Sequence, residues 1–361
     1  MSKRHEHRSR SRLSDVAERA GVSAVTVSRA IRHPEMVTPK LRKRIDKAIH
    51  ELAYVPNRAA SMLASSRTRL IGVVVSSLTN GVFADFLRAL HDLFLPEGFH
   101  VMVLDSRYVP GEEETAIATL LGQHPEAMIV SSIDQTPRAR QLLKRSGIPV
   151  VQTMELAKSP IDINIGLSHE AAGYAATRYL IELGHRRIGV IGAPRDSRLH
   201  NRIAGYERAM REAGLDMTGL AGRSSNPSSV VLGGELMRGL VERCADLEAV
   251  FCCNDDLALG ALFECHRLGI SVPERISLIG FNDLEYAACA YPSLTSVLTP
   301  RYEMGRKTAE IVLEIIRGSG KRPPRRRIDI GFKIMEREST RRRDIRPPVR
   351  TARNARQSEQ V

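Results

Sequence analysis

The stretch Asp15-Val-Ala-Glu-Arg-Ala-Gly-Val-Ser-Ala-Val-Thr-Val-Ser-Arg29 reads as two short helices around a tight turn. Leu13, Val16, Ala17 and Ala20 fall at helical spacing, with Ser14 or Asp15 near the start of the first helix. Gly21 permits the reversal, and Ala20 is small enough for close helix contact. Ser23 is the expected N-cap of a second helix running to about Arg32, with Val27, Ala30 and Ile31 facing inward. His33-Pro34 breaks that helix, and a third starts near Thr38-Pro39 with Leu41, Ile45, Ala48, Ile49 and Leu52 on its apolar face. The spacing is that of a helix-turn-helix, whose second helix enters a DNA major groove by its N-terminal end. Ser23, Ala24, Val25, Thr26, Ser28 and Arg29 are exposed there in this reading, and Ser14 at the start of the first helix is a further candidate for contact with DNA. Hydroxyls reach phosphates or bases, Arg29 pairs with guanine or phosphate, and small apolar side chains meet a thymine methyl.

Charge supports a polyanionic partner. Residues 1–70 hold 16 Lys/Arg against 6 Asp/Glu, residues 318–361 hold 14 against 5, and the stretch between is mildly acidic at 24 against 30. The expected divisions are a disordered basic arm over 1–11, the DNA-binding head over 12–56 and a hinge helix with linker over 57–69. A two-lobed domain over 70–340 and a disordered basic tail over 341–361 complete the chain. The head is all-α. Beyond it, short β-rich runs at Ile71–Val75, Val101–Leu104, Met128–Val130 and Pro149–Val151 alternate with helical stretches near Phe83–Leu95, Glu112–Leu121 and Pro137–Arg145. The rhythm repeats, with strands at Ile188–Ile191, Ala249–Cys252 and Ser277–Phe281 and helices at Glu170–Leu183, Ile203–Ala213, Gly233–Cys244, Leu257–Leu268 and Tyr302–Ile316. One last strand-like piece spans Ile328–Ile334. Two α/β halves with parallel sheets imply two lobes and a ligand site in the cleft between them.

Several classes are disfavoured. The chain has no GxGxxG, Walker loop, GxSxG or HExxH motif, so an enzyme is not expected, and neither is a metal or cofactor. Asp255-Asp256 reads as a helix cap rather than a metal pair, and His185 as a structural turn residue. Cys244, Cys252, Cys253, Cys265 and Cys289 lack CxxC spacing and suit reduced thiols in a cytoplasmic core. The longest apolar runs are too short for a membrane span, and Met1-Ser-Lys-Arg-His is followed by no apolar stretch, unlike a secretory signal.

Leu13-Ser-Asp-Val-Ala17, Thr26-Val-Ser-Arg29, Leu52-Ala-Tyr-Val-Pro-Asn-Arg-Ala-Ala60 and Leu63-Ala64 closely resemble the lactose/galactose-repressor (LacI/GalR) family of bacterial transcription factors. The resemblance continues through Leu70-Ile-Gly-Val-Val74, Leu183-Gly-His-Arg-Arg-Ile188, Arg202-Ile-Ala-Gly-Tyr206, Cys253-Asn-Asp-Asp-Leu-Ala-Leu-Gly260 and Ile279-Gly-Phe-Asn-Asp283, covering residues 12–340. It implies a repressor whose body resembles periplasmic sugar-binding proteins and closes on a small effector. It also implies a homodimer bound to double-stranded, pseudo-palindromic operator DNA, with Ala24 and Val25 as principal base contacts. Asn57, Arg58, Ala60 and Leu63 would lie on a hinge helix, Leu63 wedging into a minor-groove step. The dimer surface would lie near Phe86–Leu95, and effector closure would misplace the hinge helices. By the same resemblance Arg202 grips the effector, Asn254 stands beside it, and Asn80, Phe83 and Ser131 come from the first lobe. Many sugar-binding members carry an aspartate after Gly-Phe where this chain has Asn282, and losing that carboxylate suits an anionic effector. Arg198, one turn before Arg202, and His200 add positive charge. With Leu298-Thr-Pro-Arg301, Thr136-Pro-Arg138 and Gly147-Ile-Pro-Val-Val151, the chain looks most like the gluconate-utilisation repressor branch, with gluconate or a related aldonate as effector. The alternatives left open are a neutral-sugar or nucleoside sensor of the same type, and a sequence-indifferent nucleoid protein.

Overall fold

The computed structural model describes residues 11–55, 67–193, 197–318 and 324–343, divided into two compact units, 1–68 and 69–361. In the first unit α1 (Leu13–Ala20), α2 (Ala24–Arg32), a 3₁₀ turn (Pro34–Met36) and α3 (Pro39–Glu51) close on Val16, Ala17, Ala20, Val27, Ala30, Ile45 and Ala48. Asp15 does the capping of α1: its carboxylate accepts from the Arg12 amide at 2.7 Å, while the Ser14 hydroxyl only donates to Asp15. Gly21 sits at φ 61°, its amide bonded to the Glu18 carbonyl and that of Val22 to Ala17, a Schellman ending that needs a left-handed residue. Arg44 from α3 donates to the Ala20 carbonyl and pins the turn. Ser23 accepts from the Thr26 amide at 3.2 Å and so caps α2. Ser11, expected at the end of a loose arm, instead donates to the Leu52 carbonyl at 2.8 Å. The hinge segment with Asn57, Arg58, Ala60 and Leu63 lies outside the described residues.

The second unit has two lobes. The first holds β1 (Leu70–Val75), β2 (His100–Asp105), β3 (Ala127–Val130), β4 (Val150–Glu155), β5 (Ile163–Leu167) and β11 (Arg326–Asp329), in the order β11-β5-β4-β3-β1-β2. Its helices are α4 (Val82–Phe94), α5 (Pro110–Leu121), α6 (Pro137–Arg145) and α12 (Arg301–Arg317). The second lobe holds β6 (Ile188–Gly192), β7 (Ala221–Arg223), β8 (Ala249–Cys252), β9 (Ser277–Asn282), β10 (Thr295–Leu298) and β12 (Lys333–Met335), in the order β12-β10-β9-β8-β6-β7. Around it stand α7 (His169–Glu182), α8 (Ser197–Glu212), α9 (Val230–Arg243), α10 (Asp255–Arg267) and α11 (Glu285–Cys289).

The chain crosses between lobes three times: after β5, between β10 and α12, and between β11 and β12. The single strand expected over Ile328–Ile334 is therefore two strands in two different sheets. Parallel pairing holds throughout except at β12, which runs antiparallel to β10. The reason is topological. Strand β10 ends where the chain leaves the second lobe, so a segment re-entering beside it at that end must run the other way. Strand β5 gave no periodic signal because Asn164 and Gly166 interrupt it. Yet Asn164 is buried, accepting from the Ala157 amide and donating to the Gln152 and Glu155 carbonyls, which fixes the β4–β5 connection. The Phe86–Leu95 stretch expected at a dimer surface spends Phe86, Leu90 and Phe94 on its own lobe's core, leaving Arg88, His91, Asp92 and Leu95 exposed.

Helices α7 and α8 approach with backbone against backbone. A Cβ on Gly173 would stand 2.2 Å from the Arg202 carbonyl oxygen, and one on Gly205 2.2 Å from that of Glu170. Gly173→Ala must therefore push the two helices apart. Thermal unfolding should show a loss of about 1–3 kcal/mol, the usual cost of overpacking, and an unchanged melt would contradict this packing.

Candidate functional site

Two surfaces carry the chemistry. On the head, Ala24, Val25 and Arg29 are exposed at the start of α2, Val25 at 66%. An apolar side chain so exposed on a small helix is what a methyl contact in a groove requires. Thr26 is half-buried and shares a 2.9 Å hydrogen bond with the Ser23 hydroxyl, so both help hold the helix start as well as face outward. Ser28 is half-buried beside them.

Between the lobes lies a pocket of about 370 Å³. Asn80, Phe83 and Tyr108 line it from the first lobe, and Arg198, Arg202, Asn254, Asp256, Asn282 and Tyr286 from the second. Asn80 uses its amide locally, accepting from the Val82 amide at 3.1 Å and donating to the Tyr108 hydroxyl at 3.1 Å. Ser131 is not in the lining. Its hydroxyl accepts from the Ser76 amide at 2.9 Å and shares a bond with the Ser76 hydroxyl, which in turn accepts from Arg198 Nη2 at 3.1 Å. Ser131 thus stands behind the residue that meets Arg198. His200 is exposed and also outside the lining.

The two arginines are held differently. Arg198, on the first turn of α8, crosses to the first lobe through Ser76, with its guanidinium 5.7 Å from the Phe83 ring centre and 6.0 Å from that of Tyr108. Arg202, one turn later, donates to Asn254 Oδ1 at 2.6 Å, the Cys253 carbonyl at 2.5 Å and His169 Nδ1 at 3.1 Å, its guanidinium 3.7 Å over Phe281. Burial, with the Arg202 and Arg198 charges adding to it, holds the His169 pKa well below its usual value, so the ring is neutral. Asn282 sits at φ 113°, a left-handed conformation asparagine tolerates, and its buried Oδ1 has no hydrogen-bond partner among the described residues. In the lining it places a neutral amide where a carboxylate would carry charge. One carboxylate remains in the lining: Asp256, whose pKa burial raises.

Asp255 does not cap α10 as expected. Its carboxylate accepts from the Ser296 hydroxyl at 2.6 Å and the Leu284 amide at 2.7 Å, tying α10 to β10 and to the loop after β9. His185 is structural as expected, its Nε2 donating to the Arg341 carbonyl at 3.1 Å. Arg343 pairs with Glu248 at 2.6 Å, so the chain stays docked three residues past the expected boundary at 340. Tyr108, Asp256 and His169 were not picked out as site residues in the sequence. His169 reads as one more buried position on the inner face of α7, and only the folded arrangement brings Tyr108 and Asp256 to the cleft and His169 behind Arg202.

Residues 12–57 match the family described as bacterial regulatory proteins, lacI family, and residues 177–340 match the periplasmic binding protein-like domain. The chain is 41% identical over 328 residues to the HTH-type transcriptional regulator GntR of Pseudomonas aeruginosa, covering 91% of this chain and 95% of that protein. It belongs to the LacI family. Among solved structures it is similar to a transcription regulator GntR from Chromobacterium violaceum, with 36% identity, TM-score 0.72, and coverage of 75% of this chain and 99% of that one. It is also similar to the lac repressor dimer bound to operator and an anti-inducer, with 26% identity, TM-score 0.77, and coverage of 92% and 100%. As a LacI-family member the chain is a helix-turn-helix DNA-binding transcriptional repressor and not an enzyme. No described helix is long and apolar enough to cross a membrane.

The Asp255 carboxyl gives this LacI-family body a pH signature. Burial pushes its pKa up to about 6 from 3.8. A carboxyl raised in the folded state binds its proton there first, so its contribution to stability is full below the unfolded value and is lost as pH rises through about 6. Relative to Asp255→Asn, the wild type should gain on the order of 3 kcal/mol between pH 7 and pH 4. Chemical denaturation of both proteins at matched pH checks this, and parallel profiles would refute it.

Proposed function

We propose that the protein is a homodimeric repressor that reads a pseudo-palindromic operator through α2 and lets go of it when a small sugar acid, gluconate or a related aldonate, occupies the interlobe pocket. The observation that carries the ligand class is the pair of buried arginines, Arg198 and Arg202, converging on a cavity where Asn282 presents a neutral amide. A guanidinium matches a carboxylate by charge and by its planar fork of donors. Asn80, Tyr108, Asn254 and Asn282, also in the lining, offer polar groups to a chain of hydroxyls. The volume of about 370 Å³ lies at the small end of the roughly 300–1,000 Å³ usual for ligand pockets. Similarity to regulators named GntR adds to the same reading. Operator recognition and dimeric assembly rest on the exposed α2 surface and on the resemblance to the lac repressor dimer on its operator.

A second reading draws on Asp256. A carboxylate in the lining favours a neutral sugar or nucleoside, since it accepts from hydroxyls and repels an acid. In either case release follows from linkage: a ligand that binds one lobe arrangement better weakens operator binding by the coupling free energy, typically ~1–3 kcal/mol.

Calorimetric titration of the full chain with gluconate, glucose and cytidine separates the readings. Gluconate alone should give saturable heat and release a palindromic operator duplex, and Arg202→Leu should weaken gluconate binding by about 100-fold or more, as loss of a charge-assisted pair implies. Heat with glucose or cytidine but none with gluconate would overturn the acid.

A further inference from the structure

His169 is the first residue of α7, placed directly after the chain crosses from β5 of the first lobe into the second, and it is 3% exposed. Its two ring nitrogens are both engaged. Arginine Nε–H can only donate, so His169 Nδ1, 3.1 Å from Arg202 Nε, presents a lone pair. The ring proton therefore resides on Nε2, which donates to the Met154 carbonyl at 3.3 Å. Met154 belongs to β4 of the first lobe, and its amide meets Met304 Sδ of α12 at 3.3 Å. The imidazole also packs against Phe281, with ring centres 5.7 Å apart, the same ring that Arg202 covers. A continuous chain of hydrogen bonds thus runs from the Met154 carbonyl through His169 and Arg202 to Asn254, joining one lobe to the other at a pocket arginine.

We infer that His169 is a positioning residue: it fixes the direction of the Arg202 guanidinium and ties it to the end of β4, so that occupancy at Arg202 is felt by the first lobe. The inference rests on the reading of the pocket as an effector site gripped by Arg202. The imidazole does not touch the cavity, since it is absent from the lining. It acts through the arginine.

The test uses the full chain with His169→Leu, which removes both polar contacts, and His169→Gln, whose amide supplies an acceptor and a donor side by side. His169→Leu should weaken gluconate binding about 10–100-fold, the range for losing a hydrogen bond to a charged group. It should also bring the ratio of operator affinities with and without gluconate toward one. His169→Gln should restore most of both. Wild-type gluconate affinity and release in His169→Leu would overturn the inference. A second readout needs no ligand: in ¹⁵N-histidine-labelled wild type, the imidazole signal missing from His169→Gln should show the neutral Nε2–H form throughout a titration from mildly acid to mildly basic pH. A titrating ring or the Nδ1–H form would also overturn it. Should the wild type itself give no heat with gluconate, the ligand assignment fails, and the tautomer still decides the case of His169.

Discussion

The buried guanidinium of Arg202 sets the terms for the second lobe. Taking a charge out of water costs several kcal/mol unless its donors are satisfied, and here that requires the His169 nitrogen, the Cys253 carbonyl, the Asn254 amide oxygen and the Phe281 face together. Those groups come from α7, the loop after β8 and strand β9, so three elements must hold their register around one side chain. The register of α7 depends in turn on Gly173, whose missing Cβ leaves room for the Arg202 backbone itself. A charge held this way is pre-organised: the side chain has already lost its rotamer freedom before any ligand arrives.

The junction between the lobes is held by polar contacts. The turn of α8 that carries Arg198 is moored on the first lobe by more than that residue. The Ser197 hydroxyl donates to Glu155 at 2.5 Å, Asn201 donates to the same carboxylate, and burial raises that carboxyl's pKa. Farther along the crossings, Arg301 reaches Asp85 at 3.2 Å and the Asn282 carbonyl, and Arg337 pairs with Asp283 at 2.6 Å with both largely buried. Polar contacts of this kind are directional, which suits a junction between two lobes better than an apolar seam that tolerates sliding. The apolar core, by contrast, lies under the sheets, where β4, β5, β6 and β8 are buried along their whole length.

The head solves a different problem with few residues. Its core is seven small or branched side chains, so its turns must be right without much burial to enforce them. Asp15, Gly21, Ser23 and Thr38 each satisfy a helix end, and Arg44 closes the reversal between α1 and α2. With these ends fixed, the exposed start of α2 is left free to carry specificity.

How much of this was legible follows from the range of each interaction. Helix periodicity, caps and the left-handed glycine are local, so the head could be read from Leu13 to Leu52 with errors of a residue or two. Alternating strand and helix showed the two lobes, and the motif around Arg202 and Asn254 pointed to the cleft. What escaped was set by contacts between distant segments. Strand β5 is held by a buried asparagine rather than by apolar alternation, and the split of Ile328–Ile334 into two sheets depends on where the chain re-enters each lobe. Ser131, taken for a lining residue, stands one hydrogen bond behind it, because the end of β3 packs against Ser76. The sequence by itself determined the head and the two-lobed plan, since local spacing encodes them, and its motifs carried the resemblance to the family. Which side chains meet in the cleft, and that a neutral histidine joins its arginine to the opposite lobe, only the tertiary structure decided, because those partners lie tens of residues apart and no local pattern records their meeting.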